Sequence, residues 1–410
     1  MSGDCSCAVT SGPTAAETVR AHTAGIAQAS LVMALLVTPA ARAGEMPASF
    51  AFTFSNPGAR SLGLAGAFAP LADDATAAFA NPAGLIQLVR PELSAELRVN
   101  VDVEEDPEEW NSTASGLSYF SFVYPGTRWS LALYGHRLAN VDFTPDFDEG
   151  DPVSSFDRWD QVGGVTWISS LDIVRVGVAA GFRASERLSL GIGVSYFRGD
   201  VDTETIVAQP AGCNCGTPED RTDWALNAGF LWSPVAGWNV GGFYRGGPTF
   251  TLDLGSRSGL PPQQPEAATT AEISLPDTFG LGTAARLAGG ALTLALEWDR
   301  VQYSSLNTGV AGTAVGLADF AYEDVDEFHV GGEYAFLRAD PVIAVRAGVW
   351  HEPGKRSWVG DPPAPDVEAD QDLLHGALGV GWAWRRFQLD LGLDASKRTV
   401  TLSLSGIVNF

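Results

Sequence analysis

The sequence predicts an all-β chain, a 14-stranded antiparallel transmembrane β-barrel preceded by an N-terminal segment of different character. Three observations predict it. Two-residue alternation of apolar and polar side chains recurs from Pro91 to the end of the chain, the pattern of strands with two unlike faces. Short and long connections alternate between these segments, the asymmetry of barrels that cross an outer membrane. Although 45% of the chain is apolar, no stretch reaches the roughly 18 uninterrupted apolar residues of a membrane helix.

Composition narrows the function classes. Charged residues make up 18% of the 410, against about 25% in an ordinary soluble domain. Glycine (46) and tryptophan (12) are abundant, as suits a membrane barrel. The 49 acidic residues outnumber 25 basic ones, for a net charge of −24. Nucleic acid is therefore not an expected partner, since phosphate binding needs lysine and arginine.

Residues 1–43 read as a secretory signal peptide. The apolar run Ala27–Ala40 leads to Ala41-Arg42-Ala43, an A-x-A cleavage pattern before Gly44. Cys5 and Cys7 leave with it, so Cys213 and Cys215 remain, too few for a disulfide framework. Residues 44–90 lack sustained alternation and are rich in glycine and alanine, so short helical turns and tight loops are expected there.

Strands are expected near 91–104, 115–125, 129–143, 169–185, 188–204, 221–234, 238–254, 277–288, 291–304, 326–337, 342–352, 373–385, 387–396 and 399–410. Ionisable residues recur on the face opposite the apolar one: Glu96, Arg98, Glu297, Glu333, Arg346 and Asp390. In a barrel that face lines a wet interior while the apolar face meets lipid. An even strand number starts and ends the barrel on the short-turn side, and closure removes the strand edges that hydrocarbon cannot satisfy. The aromatic terminus Phe410 resembles the signal read by outer-membrane assembly machinery.

The stretch PGARSLGLAGAFAPLADDATAAFANPAGLIQLVRPELSAEL, residues 57–97, resembles the hatch of the FadL/TodX family of outer-membrane transporters for long-chain fatty acids and hydrocarbons. The matching pieces are the Gly-rich lead-in, Ala72-Asp73-Asp74-Ala75, and Asn81-Pro82-Ala83 before the first strand. The same signature resembles the PorV and PorQ group, which shares the 14-strand barrel but serves type IX secretion or surface attachment. What the FadL/TodX resemblance implies is residues 44–90 as a plug inside a barrel of residues 91–410, passive uptake of a hydrophobic compound, and lateral exit through the wall. A 14-stranded bore is wider than side chains alone fill, so a plug has a physical purpose.

Two readings stand for Asp73 and Asp74: pairing with inward Arg98 or Arg346, or capping of a helical turn. Asn81-Pro82 is expected to start a turn that sets the plug against the first strand. Cys213-Asn214-Cys215 is read as a strained local disulfide; two thiols fall short of zinc's four ligands. Acidic runs in the outer loops, such as Glu104–Glu109 and Asp319–Glu327, read as solvated segments bridged to lipopolysaccharide by divalent ions. None of the five histidines falls in a hydrolase or metalloprotease motif, so neither enzyme chemistry nor a cofactor is expected.

Overall fold

The computed structural model describes residues 55–102, 114–142, 165–206, 217–254, 269–308, 320–354, 356–358 and 371–410. The signal segment, Cys213, Cys215 and the acidic runs near 104–109 and 146–151 lie outside them. The described chain opens with helix α1 (Ala59–Gly63), helix α2 (Ala77–Ala80) and a 3-10 turn at Pro82–Gln87. The strands are β1 (Glu92–Asp102), β2 (Ala114–Pro125), β3 (Trp129–Asp142), β4 (Val165–Arg183), β5 (Leu188–Ile206), β6 (Thr217–Val235), β7 (Trp238–Arg245), β8 (Thr249–Leu254) and β9 (Thr269–Ser274). They continue with β10 (Thr278–Leu287), β11 (Leu292–Val301), β12 (Phe320–Tyr322), β13 (Val325–Phe336), β14 (Val342–Glu352), β15 (Arg356–Trp358), β16 (Leu373–Ala383), β17 (Phe387–Ala395) and β18 (Thr399–Asn409).

Fourteen of these strands close an antiparallel barrel in the order β1-β18-β17-β16-β14-β13-β11-β10-β7-β6-β5-β4-β3-β2. The ring shuts where β1 meets β18, in register from Glu92↔Asn409 to Asp102↔Thr399. Closure gives every barrel strand a partner on both sides, which hydrocarbon demands of any spanning sheet.

The polarity is inverted relative to a water-soluble protein. Along β1, Leu93 and Leu97 are exposed, while Ser94, Glu96 and Arg98 between them are buried. The same holds at Leu131, Val176, Leu294 and Leu402, all exposed, against buried Arg175, Glu297, Arg346 and Asp390. Apolar side chains facing outward on every strand and charges facing inward define a lipid-facing wall. Trp129, Phe182, Trp232, Trp238, Trp384 and Phe387 stand exposed beside the short turns, as an interfacial aromatic girdle.

One expected strand is two. Residues 238–254 leave the ring after β7, and β8 pairs with β9 instead. Gly246-Gly247-Pro248 separates them: proline offers no N–H to a ladder, and Asp277 Oδ1 takes the Gly247 N–H at 2.8 Å. A second small sheet joins β12 to β15 across stretches read as loop. At the start of β13, Asp324 and Asp326 are held by Arg300 at 3.3 and 3.1 Å, so that part of the acidic run is not free in solvent.

The N-terminal segment makes its contacts to the polar faces of strands distributed around the closed sheet. Ser405 Oγ on β18 accepts from Ala59 N at 3.2 Å, and Glu297 on β11 accepts from Ala69 N at 2.7 Å. Asn239 on β7 donates to Pro70 O, and Tyr119 and Ser121 on β2 both donate to Ala75 O. Backbone approaches backbone so closely that wall positions lack side chains. A Cβ on Gly191 would sit 2.2 Å from Ala83 N, and one on Gly331 would sit 2.4 Å from Leu64 O.

A charge placed on the outer face tests the polarity assignment. Leu97, midway along β1, is 52% exposed; Leu97→Arg is expected to destabilise the barrel by roughly 2–4 kcal/mol, measured by denaturant-dependent refolding into lipid vesicles. No loss there would mean that this face does not meet lipid.

Candidate functional site

Four groups of residues define the interior: an ionic network, an asparagine clamp, a pair of arginines around one phenylalanine, and an open seam in the wall.

The network begins in α1. Arg60 donates to Asp73 Oδ1 at 2.5 Å and to Glu333 Oε2 on β13 at 3.0 Å. Arg346 on β14 shares Glu333 at 2.6 Å and reaches Asp390 on β17 at 2.7 Å. Arg286 on β10 takes the other Asp73 oxygen at 2.8 Å. Asp73 therefore pairs with Arg60 and Arg286, and the expected direct pairing with Arg346 is replaced by an indirect one through Arg60 and Glu333. Pairing of Asp73 or Asp74 with Arg98 is also replaced. Glu96, two residues away on the same strand face, holds Arg98 at 2.8 Å. Arg98 still grips the segment, donating to Ser55 Oγ at 2.7 Å and to Asn56 O at 3.2 Å.

Asp74 takes the capping role. Its Oδ1 accepts from Thr76 N at 2.9 Å and from Thr76 Oγ1 at 2.5 Å, fixing the turn before α2. The two neighbouring carboxyls diverge electrostatically. Burial pushes Asp73 up, but the Arg60 and Arg286 charges outweigh it and hold the group below the usual carboxylate range. Burial pushes Asp74 up, and it stays raised because Arg60 offsets only part of that push while Asp73 adds a smaller one.

Asn81 is a clamp with no exposed surface. Its Oδ1 accepts from Ala83 N at 3.2 Å, capping the 3-10 turn that Pro82 begins. Its Nδ2 donates to Ala69 O and to Phe230 O on β6, both at 3.0 Å. The turn is thus set against β6, not against the first strand. The reason lies in Gly229, whose missing side chain admits the amide: a Cβ there would lie 2.2 Å from Asn81 Oδ1.

Phe79 on α2 carries a cation on two sides. The guanidinium of Arg175 (β4) lies 3.8 Å from its ring centroid and that of Arg245 (β7) 4.6 Å. His136 (β3) meets the ring edge-on at 4.7 Å. Phe79, Arg175 and Arg245, with Leu138, Phe197, Pro248 and Leu275, line a cavity of about 20 Å³. Both guanidinium groups are more than nine-tenths buried. Arg175 makes no ion pair among the described residues, and its Nε is buried without a hydrogen-bond partner. Among the described residues its side chain has one hydrogen-bond contact, with His136 Nδ1 at 3.4 Å. Aromatic faces stabilise a cation only partly, and a buried guanidinium without a carboxylate is costly. A guanidinium so placed would gain from an anion brought beside it. Mid-strand position on the inward face, the signal that marks Arg98 and Arg346, marks Arg175 as well, while Arg245 ends β7.

The seam lies between β2 and β3. Their ladder runs from Pro125↔Ser130 to Tyr119↔His136 and, among the described residues, stops there. Beyond that level β2 keeps pairing with β1 as far as Ala114, and β3 with β4 as far as Asp142. The β3–β4 ladder is irregular between Arg137 and Ala139. Leu138, which lines the cavity, stands one turn of the pleat past the split.

A closed 14-stranded barrel with a lipid-facing exterior and a polar interior is an outer-membrane barrel. The family model for "Outer membrane protein transport protein (OMPP1/FadL/TodX)" matches residues 40–401, and the chain belongs to that family of channels. Solved structures agree on the fold. The CymD monoaromatic hydrocarbon channel is 16% identical, with a TM-score of 0.58 over 88% of this chain and 99% of that one. A Pseudomonas aeruginosa FadL homologue is 16% identical, with a TM-score of 0.61 over 87% and 98%. The Pseudomonas putida toluene transporter TodX is 13% identical, with a TM-score of 0.53 over 82% and 93%. No curated protein matches the chain significantly. The protein is a multi-pass β-barrel of the outer membrane.

Arg60 is the cation that joins the N-terminal segment to the wall. Arg60→Ala leaves Asp73 with Arg286 alone and Glu333 with Arg346 alone, so the loss should fall below the roughly 3–5 kcal/mol of a buried pair broken outright. Faster proteolysis within residues 55–90, with heat-modifiable gel migration retained, is the expected outcome. The contribution of Asp73, whose pKa is depressed on folding, is present above the ordinary carboxylate range and is lost as pH falls through its lowered value. Asp74, raised on folding, works in the opposite sense. Seating of the segment should therefore hold through mild acid and fail only in strong acid.

Proposed function

We propose that the protein is a passive channel for hydrophobic compounds that carry an anionic head group, the chemistry of long-chain fatty acids. One observation carries the choice of cargo: the buried Arg175 guanidinium over Phe79, without a carboxylate partner, on the wall of a mostly apolar cavity. Residues 44–90 act as the plug. Support comes from their hydrogen bonds to β2, β6, β7, β11 and β18 and from the ionic network through Arg60. The apolar tail leaves sideways. The parting of β2 from β3 beside Leu138 supports this, because an apolar chain gains by passing from the cavity into lipid and needs no energy source. Neutral hydrocarbons are the second cargo reading, favoured by the neighbouring CymD and TodX channels.

Uptake of labelled fatty acid by cells with and without the protein tests the channel. Equal uptake across fatty acids and aromatic hydrocarbons would overturn it and favour a secretion or surface-attachment role of the PorV and PorQ kind. Arg175→Gln separates the cargo readings. A charge-assisted contact is worth about 1.5–3 kcal/mol, so the half-saturating concentration for fatty acid should rise about 10- to 100-fold while hydrocarbon uptake stays unchanged.

Two further variants test the route. Removing residues 44–85 should leave an inserted barrel with larger ion conductance in planar bilayers; unchanged conductance would place the plug elsewhere. Oxidising the pair Ser118→Cys and Arg137→Cys, which would face each other if the β2–β3 ladder ran one step further, should close the seam. Uptake should then fall severalfold and recover on reduction.

A further inference from the structure

The short-turn end of the barrel carries a ring of arginines that runs against the charge of the whole chain. Arg90 precedes β1, Arg128 closes the β2–β3 turn, and Arg183 and Arg187 flank the β4–β5 turn. Arg338 lies in the β13–β14 turn, and Arg385 and Arg386 form the β16–β17 turn. All seven are exposed. Glu186 and Asp340 are the exposed acids among the described residues of these turns, in a protein of net charge −24. None of the seven makes an ion pair among the described residues. Among the described residues only the Arg183 side chain is hydrogen-bonded internally, donating to Ile86 O at 3.2 Å.

Each cluster stands next to an aromatic side chain that faces lipid. Arg128 adjoins Trp129, Arg183 adjoins Phe182, and Arg385-Arg386 lie between Trp384 and Phe387. Phe336 stands two residues before Arg338. Exposed aromatics of this kind sit at the depth of the lipid head groups. An arginine beside them keeps its stem along apolar surface and its guanidinium at the phosphate level. The planar fork of that group matches a phosphate's oxygens two at a time.

We propose that this rim binds the phosphates of anionic phospholipids in the leaflet at the short-turn end. The arginines lie on both sides of β1 around the ring, from the β13–β14 turn to the β4–β5 turn, and not on one patch. A macromolecular partner would press on one patch, whereas an annulus of lipid meets the whole rim. The turns β6–β7 and β10–β11 carry no charged residue, so the bound lipids cover an arc and leave a gap there. The inference stands apart from the identity of the cargo.

The test uses the full-length mature barrel in detergent, titrated with phosphatidylglycerol or with phosphatidylcholine and read by native mass spectrometry. Four arginines near the surface should favour the anionic lipid by at least about tenfold. A variant carrying Arg128→Gln, Arg187→Gln, Arg338→Gln and Arg386→Gln should lose that preference, with heat-modifiable migration as the check on folding. The corresponding four Arg→Lys changes should keep part of it, because charge remains while the bidentate fork is lost. Equal retention of the two lipids by the unmodified protein would overturn the proposal. So would a preference that survives the four glutamines, which would move anion binding to another site such as Arg175.

Discussion

Everything in this protein follows from the inability of hydrocarbon to satisfy a backbone N–H or C=O. The sheet must close on itself, and closing it turns apolar side chains outward and polar ones inward. A ring of fourteen strands leaves a bore that its own inward side chains do not fill. The N-terminal segment meets that bore with backbone more than with side chains. Asn81, Ala59 and Ala69 bond to the wall, and glycines on the wall make room for them.

An interior of this kind gathers charges, and nearly all of them are compensated nearby. Glu96 holds Arg98, Glu333 is shared by Arg60 and Arg346, and His375 bridges Asp394 and Glu352 at 2.7 and 2.9 Å. Against that background Arg175 stands out. Its surroundings are aromatic rings and one imidazole, with no carboxylate. Together with Arg245 it flanks Phe79, and among the described residues it has no carboxylate partner.

The barrel was largely legible in the sequence because alternation reports directly which face of a strand meets which medium. All fourteen barrel strands were found, with ends displaced by a few residues. Alternation says nothing about which neighbour a strand chooses. That is why Thr249–Leu254, which alternates as regularly as β7, was joined to it although it pairs with β9. The same limit governs the ion pairs. The partner of Asp73 is Arg60, a lone cation in a Gly- and Ala-rich stretch of the same segment, and periodicity assigns no role to such a residue. Arg175 obeys the rule that marked Arg98 and Arg346. Its convergence with Arg245 on Phe79 depends on how β4, β7 and α2 come together, which no local pattern encodes.

The bond from Ala59 to Ser405 spans 346 positions of the chain, and the strand beside that contact closes the ring. Contacts so distant in sequence are slow to form. β18 is the last barrel strand in chain order and pairs with the first, so the wall that receives α1 forms only when the two ends of the barrel meet. The bond that fixes α1 to β18 and the closure of the ring therefore belong to one late step of assembly. A nascent barrel held open at β1 and β18 is, by the same connection, a barrel whose first helix has lost one of its anchors.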